Sequence, residues 1–289
     1  MNAIRGLLAH HKTGRGFHQG QVVSASVDDA VQDAARNTVK LLSFNIQVGI
    51  NTQQYRHYLT RSWQHILPTS ARVTNLDQIA RLISPYDIVA IQEADGGSLR
   101  SGFINQIEYL AHRARFPFWY QQLNRNLGRI AQHSNGLLTR QEPLDLEDHK
   151  LPGLLPGRGA IVTRLGSVDN PLLVVMMHLA LSQRTRNNQL AYIRDLIEGC
   201  EHVILMGDMN THAEQLMGHS PLKGSDLRPA LWNDNTFPSW RPRKSLDHIF
   251  LSSSLAVRDY GVVDFALSDH LPVSVEIELP EGFYLTTPV

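Results

Sequence analysis

The chain has 289 residues, of which 42% are hydrophobic, so it can bury a substantial core, and its 27 Lys and Arg balance its 27 Asp and Glu. A molecule without net charge has no overall attraction to a polyanion, which argues against a protein built to coat DNA or RNA. Its single cysteine, Cys200, excludes an internal disulfide and a zinc cluster of several cysteines. The Leu7-Leu8-Ala9 run stops at His10-His11-Lys12, so no signal-peptide core is expected. No stretch approaches the roughly 20 apolar residues of a membrane span. A cytoplasmic protein is expected, with peripheral membrane contact left open.

In chain order, residues 1–37 are polar and weakly periodic and suggest an extension or mobile arm, with a short helix over Val27 to Arg36 as an option. Val39 to Ile46 is the first firm strand. The polar stretch that follows holds Tyr55, Tyr58, Trp63 and His65 and suits a loop beside a site. Thr74 to Ile83 has helical spacing that Pro85 terminates, and Ile88 to Gln92 is a short buried strand. A second helix is expected over Ser101 to Ala114. Strands follow at Phe118 to Gln122, Ser134 to Leu138, Ala160 to Thr163 and Leu172 to Met177. A third helix at Asn188 to Ile197 precedes strands at Val203 to Met206, Ser245 to Leu251 and Pro272 to Leu279. Many strands with few amphipathic helices between them predict two sheets packed face to face with helices outside, in one domain.

Asn45, Glu93, His178, Asp208, Asn210, Asp247, Asp269 and His270 each lie in, at the end of, or beside an apolar strand-like run. Ends of adjacent strands converge, so these side chains can line one cleft. Singly, each has an ordinary explanation: Glu93 as a solvated turn residue, Asp208 with Asn210 as an Asx turn, His178 as a core histidine. Together they are the donor and acceptor set that phosphate-ester hydrolysis needs. Glu93 offers hard oxygen to Mg²⁺ or Mn²⁺. Asn45 and Asn210 can hold a metal through oxygen or a phosphate through nitrogen. His270 is the natural acid-base group, and Asp247 is available to orient its ring.

These residues stand in Ser43-Phe44-Asn45-Ile46, Ile91-Gln92-Glu93, His178-Leu179, Gly207-Asp208-Met209-Asn210, Leu246-Asp247-His248-Ile249 and Ser268-Asp269-His270-Leu271-Pro272. In these motifs and their order, from about Val39 to Leu279, the chain resembles the endonuclease/exonuclease/phosphatase superfamily. That group includes pancreatic deoxyribonuclease, exonuclease III-type repair nucleases, neutral sphingomyelinases and inositol polyphosphate 5-phosphatases. The resemblance implies an α/β fold, a four-layer α/β/β/α sandwich of two mixed sheets with outer helices, over residues 38–280, with a tail at 281–289. It also implies a divalent metal, with Glu93 as main ligand and Asn45 and Asp269 adjoining. In the same way, Asp208 and Asn210 would orient the nucleophile and hold the phosphate. His270, with Asp247 behind it, would be the catalytic histidine, and His178 would meet the phosphate or the leaving group. Many members carry Gly-Asn at the start of a middle strand where this chain has Ser134-Asn135, so Asn135 is left out of the site.

The Gly-rich stretch from Leu151 to Ala160 lacks the Gly-Lys-Ser/Thr of a P-loop and suits a plain loop, although Arg158 could reach a phosphate. Arg113, Arg115, Arg125, Arg129, Arg184, Arg186, Arg241 and Arg243 fall in clusters that could line a basic groove, but each alone suits a solvated surface. Trp232, Phe237 and Trp240 could stack on a base, contact lipid, or pack beneath a loop. The expected activity is hydrolysis of a phosphodiester, with a small molecule or phospholipid headgroup ahead of DNA or RNA, and no obligate protein partner. A catalytically silent binding scaffold of the same fold is the rival from another class.

Overall fold

The computed structural model describes residues 17–21, 37–49, 70–126, 132–153, 157–280 and 283. The expected helix over Val27 to Arg36 and the aromatic segment from Tyr55 to position 69 lie outside these residues. Within the expected N-terminal extension, Phe17–Gln21 forms strand β1. Strands β2 (Thr38–Asn45), β3 (Ile88–Asp95), β4 (Phe118–Asn126) and β5 (Gln132–Thr139) follow, with helices α1 (Ser70–Ile83) and α2 (Gln106–Ala114) between them. The second half contributes β6 (Asp145–Lys150), β7 (Gly159–Gly166), β8 (Pro171–His178), α3 (Gln183–Ile197), β9 (His202–Asp208) and α4 (Ala213–His219). It closes with β10 (Leu227–Pro229), β11 (Asp247–Ser252), β12 (Ala256–Val262) and β13 (Val273–Glu278).

The strands form a seven-stranded sheet, β1-β4-β5-β3-β2-β13-β12, and a six-stranded sheet, β10-β11-β9-β8-β7-β6. Both are mixed: β2 with β3 and β8 with β9 run parallel, and the other pairs run antiparallel. Alternation along each strand sorts side chains into layers. In β2, Val39 and Leu41 join a core shared with Met176, Met206, Ile249 and Val275, whereas Leu42 and Phe44 face α1 and α2. On the far side, Leu173, Val175, Val203 and Leu205 pack on Leu190 and Ile193 of α3 and Leu216 of α4. Those three apolar cores separate four layers, the α/β/β/α sandwich expected.

Local chemistry explains where the element bounds differ from expectation. Helix α2 begins at Gln106 rather than near Ser101 because Asn105 caps it, its side chain accepting from the N–H groups of Ile107 and Glu108. The preceding loop is drawn in by Asp95, whose carboxylate accepts from Ser98 N–H and Oγ and from Ser101 Oγ. Helix α3 starts earlier than expected, since Ser182 accepts from Thr185 N–H and a cap needs no apolar periodicity behind it. Strand β6 is polar, and its pairing with β7 alone makes it a strand.

At the end of β9 the backbone itself dictates the residue. Gly207 has φ 146° and a Cβ there would sit 1.8 Å from the carbonyl oxygen of Met177. Only glycine admits that approach of β8 to β9. Gly207→Ala is expected to cost about 3 kcal/mol or more, readable as a lower urea midpoint.

Candidate active site

The period-two alternation that builds the inter-sheet core continues past it at one end. Odd positions of β2 reach Asn45, even positions of β8 reach His178, even positions of β9 reach Asp208, and odd positions of β11 begin at Asp247. Register aligns them further: Asp208 lies opposite His178 on one side and Asp247 on the other. Glu93 arrives by a different device. Ile91 pairs with Gly136 and Ala94 with Ser134, so β3 holds one residue more than β5 across that interval. This bulge, with Glu93 at φ 56°, re-aims the carboxylate away from the ladder.

Asn45 Nδ2 donates to Asp208 Oδ2 at 3.1 Å, and Asn210 N–H donates to Asp208 Oδ1 at 3.0 Å. Nε2 of His178 lies 3.4 Å from Asp208 Oδ2 and 3.9 Å from Glu93 Oε1. Arg158 Nη1 also meets this Nε2. The ring thus stands between this guanidinium and the carboxylates of Asp208 and Glu93. Burial drives the Asp208 carboxyl upward, but donation from His178, the His178 and His270 charges and the Asn210 N–H more than offset it, leaving it below the usual range. The Asn45 Nδ2 bond adds a further donor to the same carboxylate.

His270 Nδ1 bonds Asp247 Oδ2 at 2.7 Å, and Thr236 Oγ1 donates to the same oxygen at 2.5 Å. Burial disfavours the imidazolium, yet the charge and hydrogen bond of Asp247, helped by Asp208 and Asp269, raise His270 to about 10. Asp269 moves the other way from Asp208. Burial first, opposed by His270 and reinforced by Glu93, pushes its carboxyl up to about 6.

The eight expected site residues thus gather at one end of the sandwich. Seven are tied by contacts, and Asp269 joins through its neighbour His270 and the field of Glu93. Asn210 is partly committed, its Nδ2 donating to Leu179 O at 2.9 Å. Asn135 is buried between the sheets, its Nδ2 near Gln122 Oε1 at 3.5 Å and Gly159 O at 3.4 Å, a bracing position. Of the arginine clusters, Arg113 pins α2 to α1 through Asp77 at 2.8 Å, and Arg186 is buried. Thr236 carried no sequence signal, because a lone threonine in a polar loop is unremarkable until the fold brings it to Asp247.

Two groups of donors invite a cation. Asp208, Asp247 and His270 place one ligand atom each within 4.8 Å of one another, but His270 and Asp247 are already bonded to each other. Glu93, Asn45 and Asp269 offer hard oxygens of the kind a divalent cation takes, and Asp269 feels the field of Glu93 beside the effect of its burial.

Among comparisons with known proteins, the Endonuclease/Exonuclease/phosphatase family model matches residues 42–270. The chain belongs to that family. No curated protein sequence matches the chain. Among solved structures, this family member is similar to an endonuclease/exonuclease/phosphatase from Beutenbergia cavernae, with TM-score 0.65 and 17% identity over 85% of this chain and 72% of that one. It is similar to a mannosyl-6-phosphatase of Bacteroides thetaiotaomicron, TM-score 0.59 and 18% identity, over 83% of this chain and 99% of the other. A humanized D. rerio TDP2 gives TM-score 0.60 and 16% identity over 84% and 99%. At these identities the likeness is one of fold. The family usually hydrolyses phosphoester bonds and typically uses a divalent metal. Among the described residues, no helix is long and apolar enough to cross a membrane.

Proposed function

We propose that this chain is a Mg²⁺-dependent phosphoesterase that hydrolyses a phosphodiester, a small molecule or phospholipid headgroup ahead of a nucleic acid. The observation that carries this reading is the placement of an anionic Asp208 and an Asp247-held His270 beside the oxygen donors Asn45, Glu93 and Asp269. Bound there, Mg²⁺ (or Mn²⁺) supplies positive charge to a phosphoryl oxygen. Asp208, kept ionised, accepts a hydrogen bond from the attacking water and takes its proton as the new P–O bond forms. His270, charged at neutral pH, gives a proton to the departing oxygen as the old P–O bond breaks. Arg158, His178 and the second N–H of Asn210 are donors for the phosphoryl oxygens.

The charge count favours a diester. Four carboxylates, Glu93, Asp208, Asp247 and Asp269, match the charge of Arg158, His270 and a bound Mg²⁺, so no surplus positive charge awaits the second negative charge of a monoester. Balanced overall charge favours a compact substrate over a polymer. A reducing, cytoplasmic setting suits a chain with one unpaired cysteine.

Purified protein with Mg²⁺ is expected to cleave bis(p-nitrophenyl) phosphate faster than p-nitrophenyl phosphate, and phospholipid or small diesters faster than plasmid DNA. Cleavage of plasmid alone would move the reading to a nuclease, and cleavage of nothing would leave a binding scaffold. Metal binding has its own readout. Millimolar Mg²⁺ or Mn²⁺ is expected to raise Tm, by the equivalent of about 2.7 kcal/mol at a hundred times Kd, and Glu93→Gln is expected to abolish that rise.

A further inference from the structure

Arg186 is about nine-tenths buried, at 8% exposure. Its Nη1 donates to three backbone carbonyls: Ala180 at 3.1 Å, Leu181 at 2.9 Å and Asn210 at 3.3 Å. Burial lowers its guanidinium, and among the described residues no carboxylate acts on it. Among the described residues carbonyls alone hold this buried cation, an expensive arrangement for mere stability. The carbonyls it joins belong to the two loops that leave the site, one directly after His178 and one containing Asn210. One turn along α3, buried Gln189 accepts from Ala180 N–H at 2.8 Å and donates to Pro152 O at 3.1 Å. Pro152 belongs to the connection between β6 and β7 that delivers Arg158. The first two turns of α3 therefore tie together the chain segments that carry His178, Asn210 and Arg158.

We infer that Arg186, seconded by Gln189, is a positioning residue that sets the relative placement of these three groups around the phosphate. It touches none of the reacting atoms. The inference rests on the phosphodiesterase reading for its catalytic consequence, while the clamp itself is a statement about two loops. A clamp that aligns donors for the transition state acts on kcat more than on KM.

The test compares Arg186→Lys and Gln189→Leu with the parent and with Arg194→Ala, which removes another α3 arginine whose single carbonyl bond, to Pro221, lies away from the site. Rates with bis(p-nitrophenyl) phosphate and Mg²⁺ are taken well below each Tm and divided by the folded fraction. Arg186→Lys is expected to lose at least tenfold in kcat with KM within threefold, Gln189→Leu to lose less, and Arg194→Ala to match the parent. Amide hydrogen exchange supplies a readout independent of turnover: protection at 179–181 and 209–211 is expected to fall at least tenfold in Arg186→Lys and to hold in the centres of β8 and β9. Unchanged protection at both loops overturns the clamp, as does a kcat loss that merely follows the folded fraction. If the parent itself cleaves nothing, the proposed function fails and the exchange experiment still decides the clamp.

Discussion

Asp208→Asn is expected to lower kcat for bis(p-nitrophenyl) phosphate by about 10³-fold or more, with KM little changed and the fold intact. The substitution keeps size and one acceptor oxygen, so the bonds from Asn45 Nδ2 and Asn210 N–H at 3.1 and 3.0 Å can be re-made to a carboxamide in part. What disappears is the anion. Arg158, His178 and His270 surround a charge that burial opposes and their fields sustain, and a neutral amide cannot take the proton of the attacking water. Stopped assays at several Mg²⁺ concentrations separate this loss from a metal defect: added Mg²⁺ should not restore the rate. A variant as fast as the parent would remove Asp208 from the chemistry.

Asp247→Ala is expected to combine a large stability loss with a large loss of activity. The Asp247 side chain is fully buried and that of His270 is 8% exposed. Removing one partner of such a pair costs about 3–5 kcal/mol, and Thr236 Oγ1 loses its acceptor as well. The sign of the pH dependence follows from the direction of the shift. His270 is raised from 6.5 to about 10 on folding, so its contribution is complete below the lower value and fades as pH climbs through the upper one. The gap in urea-derived stability between parent and variant should be wide at pH 6 to 7 and narrow steadily toward pH 10, against a common alkaline baseline. A gap independent of pH would mean that packing, and not the ion pair, holds this end of the sandwich.

The strands that carry the site were legible because their apolar runs end abruptly in polar residues. Val203 to Met206 before Gly207-Asp208, and Leu172 to Met177 before His178, are buried on both faces, so hydrophobicity alone marks them. Edge elements were not legible for the complementary reason. β12 is largely exposed and carries a register shift between Val257 and Asp259, and β10 has three residues, so neither bears a periodic signal. The site was legible as an inventory, and its connections were not. Nothing in the order of residues says that Thr236 and His270 share one oxygen of Asp247, or that Arg186 leaves the surface to hold three carbonyls. Such links depend on loops that only the packed sheets bring together. Glu93 falls between the two cases: its motif was visible, while the bulge that aims it appears only in the pairing of β3 with β5.

The most direct measurement is the initial rate of bis(p-nitrophenyl) phosphate hydrolysis by purified parent and Glu93→Gln as Mg²⁺ is titrated, then removed with EDTA. A site centred on Glu93, Asp208 and His270 predicts a rate that saturates with Mg²⁺ in the parent, vanishes with EDTA, returns when the metal is restored, and stays near background in Glu93→Gln. Hydrolysis that ignores EDTA, or a Glu93→Gln variant that follows the parent curve, would contradict it.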